Sequence, residues 1–161
     1  MYRSPQVFAG YLRNAEATDE ACRDGWFHSG DAGYMGEDGV LWFTDRVKDV
    51  IKSGGENVSS LEVERIIYEH EPDIAEAAVV GLPHDHWVEA ITAFVIPRAG
   101  CSIDGPAMIG RLRARLSHFK CPKAIIVVDD FPRTATGKIR KLELRGRFMN
   151  HYREAEDIGG R

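Results

Sequence analysis

The segment that most narrows the fold lies between residues 59 and 97. Two β-rich runs, EAAVVGL (76–82) and AITAFVIP (90–97), are separated only by PHDHWVE. Both are apolar over a length that suits a strand. Just before them, SSLEVERIIYEH has Ser59 with Glu62 three residues later, a capping box. Val63, Ile66, Ile67 and His70 then share one helical face. A second helix is expected over DGPAMIGRLRARLSHF, with Asp104 as N-cap and Pro106 in the first turn. Its apolar stripe would be Ile109, Leu112, Leu116 and Phe119. AIIVVDDF supplies a short apolar strand, and RKLELRGRFMNHY a last helix interrupted near Gly146. From residue 48 the order is turn, helix, strand, strand, helix, strand, loop, helix. That order makes a small α+β domain with helices packed on a sheet.

Upstream, VLWF (40–43) follows the turn GEDG and reads as the second strand of a hairpin. The first 46 residues otherwise read as loops that need a partner to pack on. The tail EDIGGR is expected to be disordered. No apolar run approaches the roughly 18 residues of a membrane span, and MYRSPQVFAG has no signal-peptide pattern. Cys22, Cys101 and Cys121 lack CxxC spacing and read as reduced thiols of a cytoplasmic protein.

Charge is uneven along the chain. Residues 1–110 carry a net −11, residues 111–153 a net +9. A basic C-terminal third suits a polyanion such as a nucleotide or phosphorylated cofactor, or else a solvated basic helix. Nucleic acid is disfavoured, because no aromatic-rich or repeat-type binding motif accompanies the charge. The TGK of FPRTATGKIRK is not a phosphate loop: Pro132 stands where the first glycine belongs, and Ile139 follows the lysine.

Three segments carry candidate chemistry, each with a plainer reading. In DGWFHSGDAGYMGEDG, Asp31 could accept hydrogen bonds from a ribose diol, or merely shape an Asx turn. In DRVKDVIKSGGENVSSLEVE, Gly54 and Gly55 let the backbone pass close to another surface, or form a tight turn. Arg46 and Lys48 there could be solvated charges. In PRTATGKIRK, small residues make a mobile or closely approaching loop, and Lys138 is its projecting cation or one more surface lysine. His84 and His86, on a polar loop without further ligands, read as solvated. Asp129-Asp130 ends a strand and is no convincing acid pair. Arg140, Lys141, Arg145 and Arg147 read as a solvated face.

In order and spacing, the three segments resemble the closing motifs of the adenylate-forming enzymes, the family of acyl-CoA synthetases, luciferases and adenylation domains. VFAGYLRNAEATDEACRDGWFHSGDAG resembles the end of the large N-terminal domain, and FTDRVKDVIKSGGENVSSLEVE the hinge and the start of the small one. GLPHDHWVEAITAFVIPR and FKCPKAIIVVDDFPRTATGKIRK complete that small domain. SGGENVSSLEVE and PRTATGKIRK look like the fatty and aromatic acid–CoA ligase branch. The resemblance implies a mobile lid domain, a short mixed sheet flanked by helices, preceded by a hairpin remnant of the large domain. Residues 1–46 would be that remnant, 47–150 the lid and 151–161 a tail. It implies two steps: a carboxylate, expected to be a fatty acid, attacks the α-phosphate of ATP, then the thiol of CoA displaces AMP.

Carried onto this sequence, the resemblance gives Asp31 and Arg46 to the nucleotide and Lys48 to the hinge. It gives Gly55, Trp87, Phe119 and Lys120 to CoA, and Lys138 to the carboxylate and α-phosphate during adenylation. Cys121 departs from the pattern, since relatives can carry a basic residue there that meets CoA phosphates. No segment matches the family's ATP loop, acyl pocket or metal-binding glutamate. The chain is therefore expected to be a C-terminal portion, inactive alone, with Mg²⁺ and most of ATP held in the missing large domain. Two alternatives stay open: a lid-like binding module docking on a separate protein, and part of an adenylation domain that loads a carrier protein.

Overall fold

A computed structural model describes residues 1–153, and the EDIGGR tail lies outside the described residues. The chain divides into two compact units, residues 1–48 and residues from 49 onward. The division falls after Lys48, two residues beyond the boundary drawn from the sequence.

The first unit has a short helix α1 (Ala15–Ala21), with the Asn14 side chain accepting from the Ala17 N–H at 3.0 Å. It was not foreseen: α1 buries no residue, so its sequence shows no apolar periodicity. Strands β1 (Asp31–Met35) and β2 (Leu41–Arg46) pair antiparallel, with VLWF entering β2 as expected. Tyr34, Met35, Leu41, Trp42 and Phe43 are exposed, and among the described residues no apolar side chain of 1–48 is fully buried.

The second unit is built on a mixed sheet. Strands β3 (Ile51–Ser53) and β4 (Glu56–Val58) form a hairpin, followed by helix α2 (Ser60–His70). Strands β5 (Ile74–His84) and β6 (Val88–Pro97) pair antiparallel along their length. Helix α3 (Gly105–Leu112) leads to β7 (Ala124–Val127), which pairs parallel with β6, and helix α4 (Lys141–Arg147) closes the fold. The order is β4-β3-β6-β5, with β7 also on β6.

Alternation along β5 explains its continuous apolar run. Ala77 and Val79 join the cluster of Val63 and Ile67 from α2 with Met108 and Leu112 from α3. Ala78, Val80 and Leu82 join Phe94, Phe131 and Leu144 on the opposite face, under α4. A strand covered on both faces shows no polar alternation. The free edge of β5 is covered too: the Ala77 N–H donates to the Tyr68 hydroxyl at 2.8 Å and the Val79 N–H to Glu64 Oε1 at 2.7 Å.

Both helix starts follow the sequence. Ser59 Oγ accepts from the Glu62 N–H at 3.2 Å, and Asp104 from the Ala107 N–H at 3.0 Å. The stripe of α3 does not. The helix stops at Leu112, so the apolar set is Met108, Leu112 and Leu116, while Phe119 sits in a 3₁₀ turn and is exposed. The last helix breaks at 148–150 rather than at Gly146.

Candidate functional site

Asp31 and Arg46 are Cα partners at the base of the β1–β2 hairpin. Arg46 Nε lies 3.0 Å from Asp31 Oδ1, and Arg46 Nη1 donates to the Ser29 carbonyl at 3.2 Å. Both residues line an open pocket of about 820 Å³ with Met1, Tyr11, His28 and Lys48. Asp31 opens β1, and its N–H donates to Ser29 Oγ at 3.3 Å, so the Ser-Gly-Asp turn does shape the loop while leaving the carboxylate on the pocket. Lys48 lies in a 3₁₀ turn at the end of the first unit.

In the second unit Gly54 and Gly55 are the two-residue loop of the β3–β4 hairpin, closed by the Ser53–Glu56 pair. Their φ values of +60° and +87° are those of a primed turn, which non-glycine residues adopt at a cost. A side chain at 54 would strike the Trp87 ring, with atoms at 3.1 and 3.2 Å, whereas one at 55 would enter open space. The Gly54 N–H donates to the Trp87 carbonyl at 2.9 Å. Lys123 Nζ lies 4.2 Å from the centre of the Trp87 ring. Lys123 has no acidic partner among the described residues, and burial pushes its ammonium below the usual lysine range, with Cys121 opposing and Arg113 adding to the effect. Lys120, three residues earlier, is held by both oxygens of Glu62 at 2.7 and 2.8 Å and lies 5.7 Å from the Phe119 ring centre. Cys121 is buried, which raises its thiol pKa, so it presents nothing to a ligand.

Lys138 ends a closed turn rather than a slack loop. The Thr134 N–H donates to the Lys138 carbonyl at 2.8 Å, the Gly137 N–H to the Thr134 carbonyl at 2.9 Å, and the Lys138 N–H to Thr134 Oγ1 at 3.1 Å. Arg133 and Ile139 form a β-bridge at its neck. Small residues at 134–137 thus permit a tight hydrogen-bonded turn. The solvated-face expectation for the last helix holds for exposed Arg140 and Arg147 and is corrected for Lys141 and Arg145. Lys141 reaches Glu64 at 2.7 Å and Ser60 Oγ at 2.8 Å, and Arg145 reaches Glu89 at 2.6 Å. Arg140 and Arg147 both pair with Glu143, while Arg133 pairs with Glu76. Lys138 alone among the basic residues of 131–147 has no acidic partner among the described residues.

The two clusters of the second unit sit at opposite ends of one hairpin. The Lys138 turn is tied to Glu76, near the start of β5, and Trp87 lies just past its end. Eight residues of strand separate Glu76 from His84, roughly 25 Å. Sequence reasoning missed Arg133, Lys123 and Glu64. Each is an unremarkable charge in the sequence whose partner is distant along the chain, so spacing gave no signal. Among the described residues no group of three or more His, Cys, Asp or Glu could hold a metal ion. No helix among them is long and apolar enough to cross a membrane.

Residues 62–138 match the family described as AMP-binding enzyme C-terminal domain. The chain is 45% identical over 144 residues to feruloyl-CoA synthase of Amycolatopsis sp, covering 89% of this chain and 29% of that protein. It is 39% identical over 145 residues to indoleacetate–CoA ligase of Aromatoleum aromaticum, covering 90% and 28%. The crystal structure of ATP-bound MatB from Rhodopseudomonas palustris superposes with a TM-score of 0.83 at 38% identity, covering 93% of this chain and 30% of that one. The chain thus spans under a third of the length of the relatives it matches. With its α+β sheet and flanking helices, the chain belongs to the adenylate-forming (AMP-binding) enzymes as the stretch that carries their C-terminal domain.

Proposed function

We propose that the chain is the closing part of an AMP-forming acid–CoA ligase. The observation that carries the reading is the separation of two differently built clusters on one domain. At one end of the β5–β6 hairpin a lone unpaired lysine is held out on a rigid turn. At the other a Gly-Gly turn, an indole and a half-buried unpaired cation meet. Two clusters separated by about 25 Å of strand cannot both serve one reacting centre at once. The arrangement suits a reaction in two steps, with the domain turned between them.

In the first step Lys138 offsets the negative charge that gathers as a carboxylate attacks the α-phosphate of ATP. Asp31 accepts from the ribose hydroxyls and Arg46 contacts the nucleotide. Lys48 is the hinge. In the second step the thiol of CoA attacks the acyl carbonyl and AMP leaves. Gly55 leaves the thiol's path open, and Trp87 and Phe119 offer apolar faces to the pantetheine arm. Lys120, oriented by Glu62, lines the same face. Lys123 supplies the phosphate contact that buried Cys121 does not. An unpaired, partly desolvated ammonium is costly until an anion arrives. The acid is a carboxylic acid, and the fatty-acid expectation widens to aromatic acids, the kind named in two relatives. These 161 residues alone do not catalyse adenylation.

The test is product identity in the ligase that contains this chain. Acid-dependent release of pyrophosphate from ATP, followed by CoA-dependent release of AMP, is the expected outcome. Formation of ADP and phosphate, or transfer only to a carrier protein, would contradict it.

A further inference from the structure

The turn that carries Lys138 is fixed in shape by its own hydrogen bonds, but these do not orient it against the domain. The Thr134–Lys138 and Thr134–Gly137 bonds are internal. Phe131 and Ile139 anchor the neck of the turn by packing with Ala78 and Val80 of β5, and the side chain that hydrogen-bonds the turn itself to the sheet is Arg133. One terminal nitrogen, Nη2, donates to both oxygens of Glu76 on β5, each at 2.7 Å. The other, Nη1, donates to the carbonyl of Gly137 at 3.3 Å. That carbonyl belongs to the peptide that leads into Lys138. A rigid guanidinium fork thus spans from a fixed strand to the peptide next to the projecting lysine.

We infer that Arg133, held by Glu76, is a positioning residue that sets the direction in which Lys138 is presented for adenylation. The inference rests on the proposed role of Lys138. Arg133 touches no reacting group; it acts through the Gly137–Lys138 peptide. Its pair with Glu76 is partly exposed, so it contributes little to folding. An arginine spent on a surface pair of little stability value, while also bonding the carbonyl beside an unpaired lysine, is explained by orientation. Delivery of Lys138 then follows the motion of the whole domain, not flexing of the turn.

The test compares Arg133→Gln, Glu76→Gln and the double variant in the ligase that contains this chain, with Lys138→Ala alongside. Each single substitution is expected to lower the rate of acid-dependent pyrophosphate exchange about 10-fold or more, because small misplacements of a reacting group are costly. The KM for ATP and the rate of thioester formation from supplied acyl-adenylate should stay within about twofold. The double variant should be no slower than the worse single one, because the two side chains act as one unit. Arg133→Lys should rescue only in part, since a point ammonium lacks the planar fork whose two terminal nitrogens serve Glu76 and the Gly137 carbonyl separately. An unchanged exchange rate, an equal loss in both steps, or a raised KM for ATP at full rate would each overturn the inference. If Lys138→Ala also leaves exchange intact, the role of Lys138 itself fails. If Lys138→Ala abolishes exchange and Arg133→Gln does not change it, only the positioning role fails.

Discussion

The basic side chains between residues 131 and 147 end on carboxylates, except Lys138. The sequence marks Lys138 by the small residues before it but cannot say which of the six cations in that stretch is unpaired. Pairing depends on Glu64, Glu76 and Glu89, which are distant in sequence and arrive only with the fold. The same holds for Lys120 and Lys123: the sequence singles out the first, and the structure leaves the second uncompensated over Trp87. Gly55 was legible as a turn glycine, and its φ of +87° explains it without any ligand. The open space beyond it is what a thiol path needs. In the proposed ligase, Gly55→Leu is expected to slow thioester formation more than adenylation. Strain at positive φ costs about 1–2 kcal/mol of stability and should weigh on both steps alike. Separate half-reaction rates on folded protein check this, and equal losses would assign Gly55 to the turn alone.

Among the elements, α4 is tied to the rest of the domain by a nearly buried ion pair. Its N-terminal Lys141 passes the edge of β5 to reach Glu64, which also accepts the Val79 N–H. Both side chains are nearly buried, at 16% and 10% exposure. Removing one partner of such a pair leaves a charge without compensation, at about 3–5 kcal/mol. Lys141→Met is therefore expected to lower unfolding stability by about 3 kcal/mol in chemical denaturation. Arg147→Ala, at an exposed pair with Glu143, should cost below about 1 kcal/mol. Equal shifts for the two would contradict the buried-anchor account. Elements with a strong local signal were legible: the capped α2, the N-terminus of α3, and the apolar runs of β5, β6 and β7. The three-residue strands β3 and β4 are too short to show alternation, so the sequence offers only their Gly-Gly turn. The stripe of α3 shifted because Met108 rather than Ile109 is fully buried and the helix stops at Leu112, leaving Phe119 in an exposed 3₁₀ turn, an ending that periodicity alone does not mark.

At the scale of the whole molecule, the α+β class was readable from the order of helices and strands after residue 48. The separation of Lys138 from the Gly55–Trp87 cluster was not, because it depends on which end of the β5–β6 hairpin each loop joins. That separation underlies the two-step account, and Lys138→Ala in the proposed ligase tests it most directly. Pyrophosphate exchange reports adenylation, and AMP release from acyl-adenylate plus CoA reports thioester formation. Losing one preorganised cation at the developing charge costs about 3–4 kcal/mol, so exchange should fall roughly 100- to 1,000-fold. Thioester formation, with the Lys138 turn at the far end of the domain, should stay within about 0.5 kcal/mol of the wild-type rate. If both rates fall by the same factor in folded protein, or neither falls, the two ends of the domain do not serve separate steps.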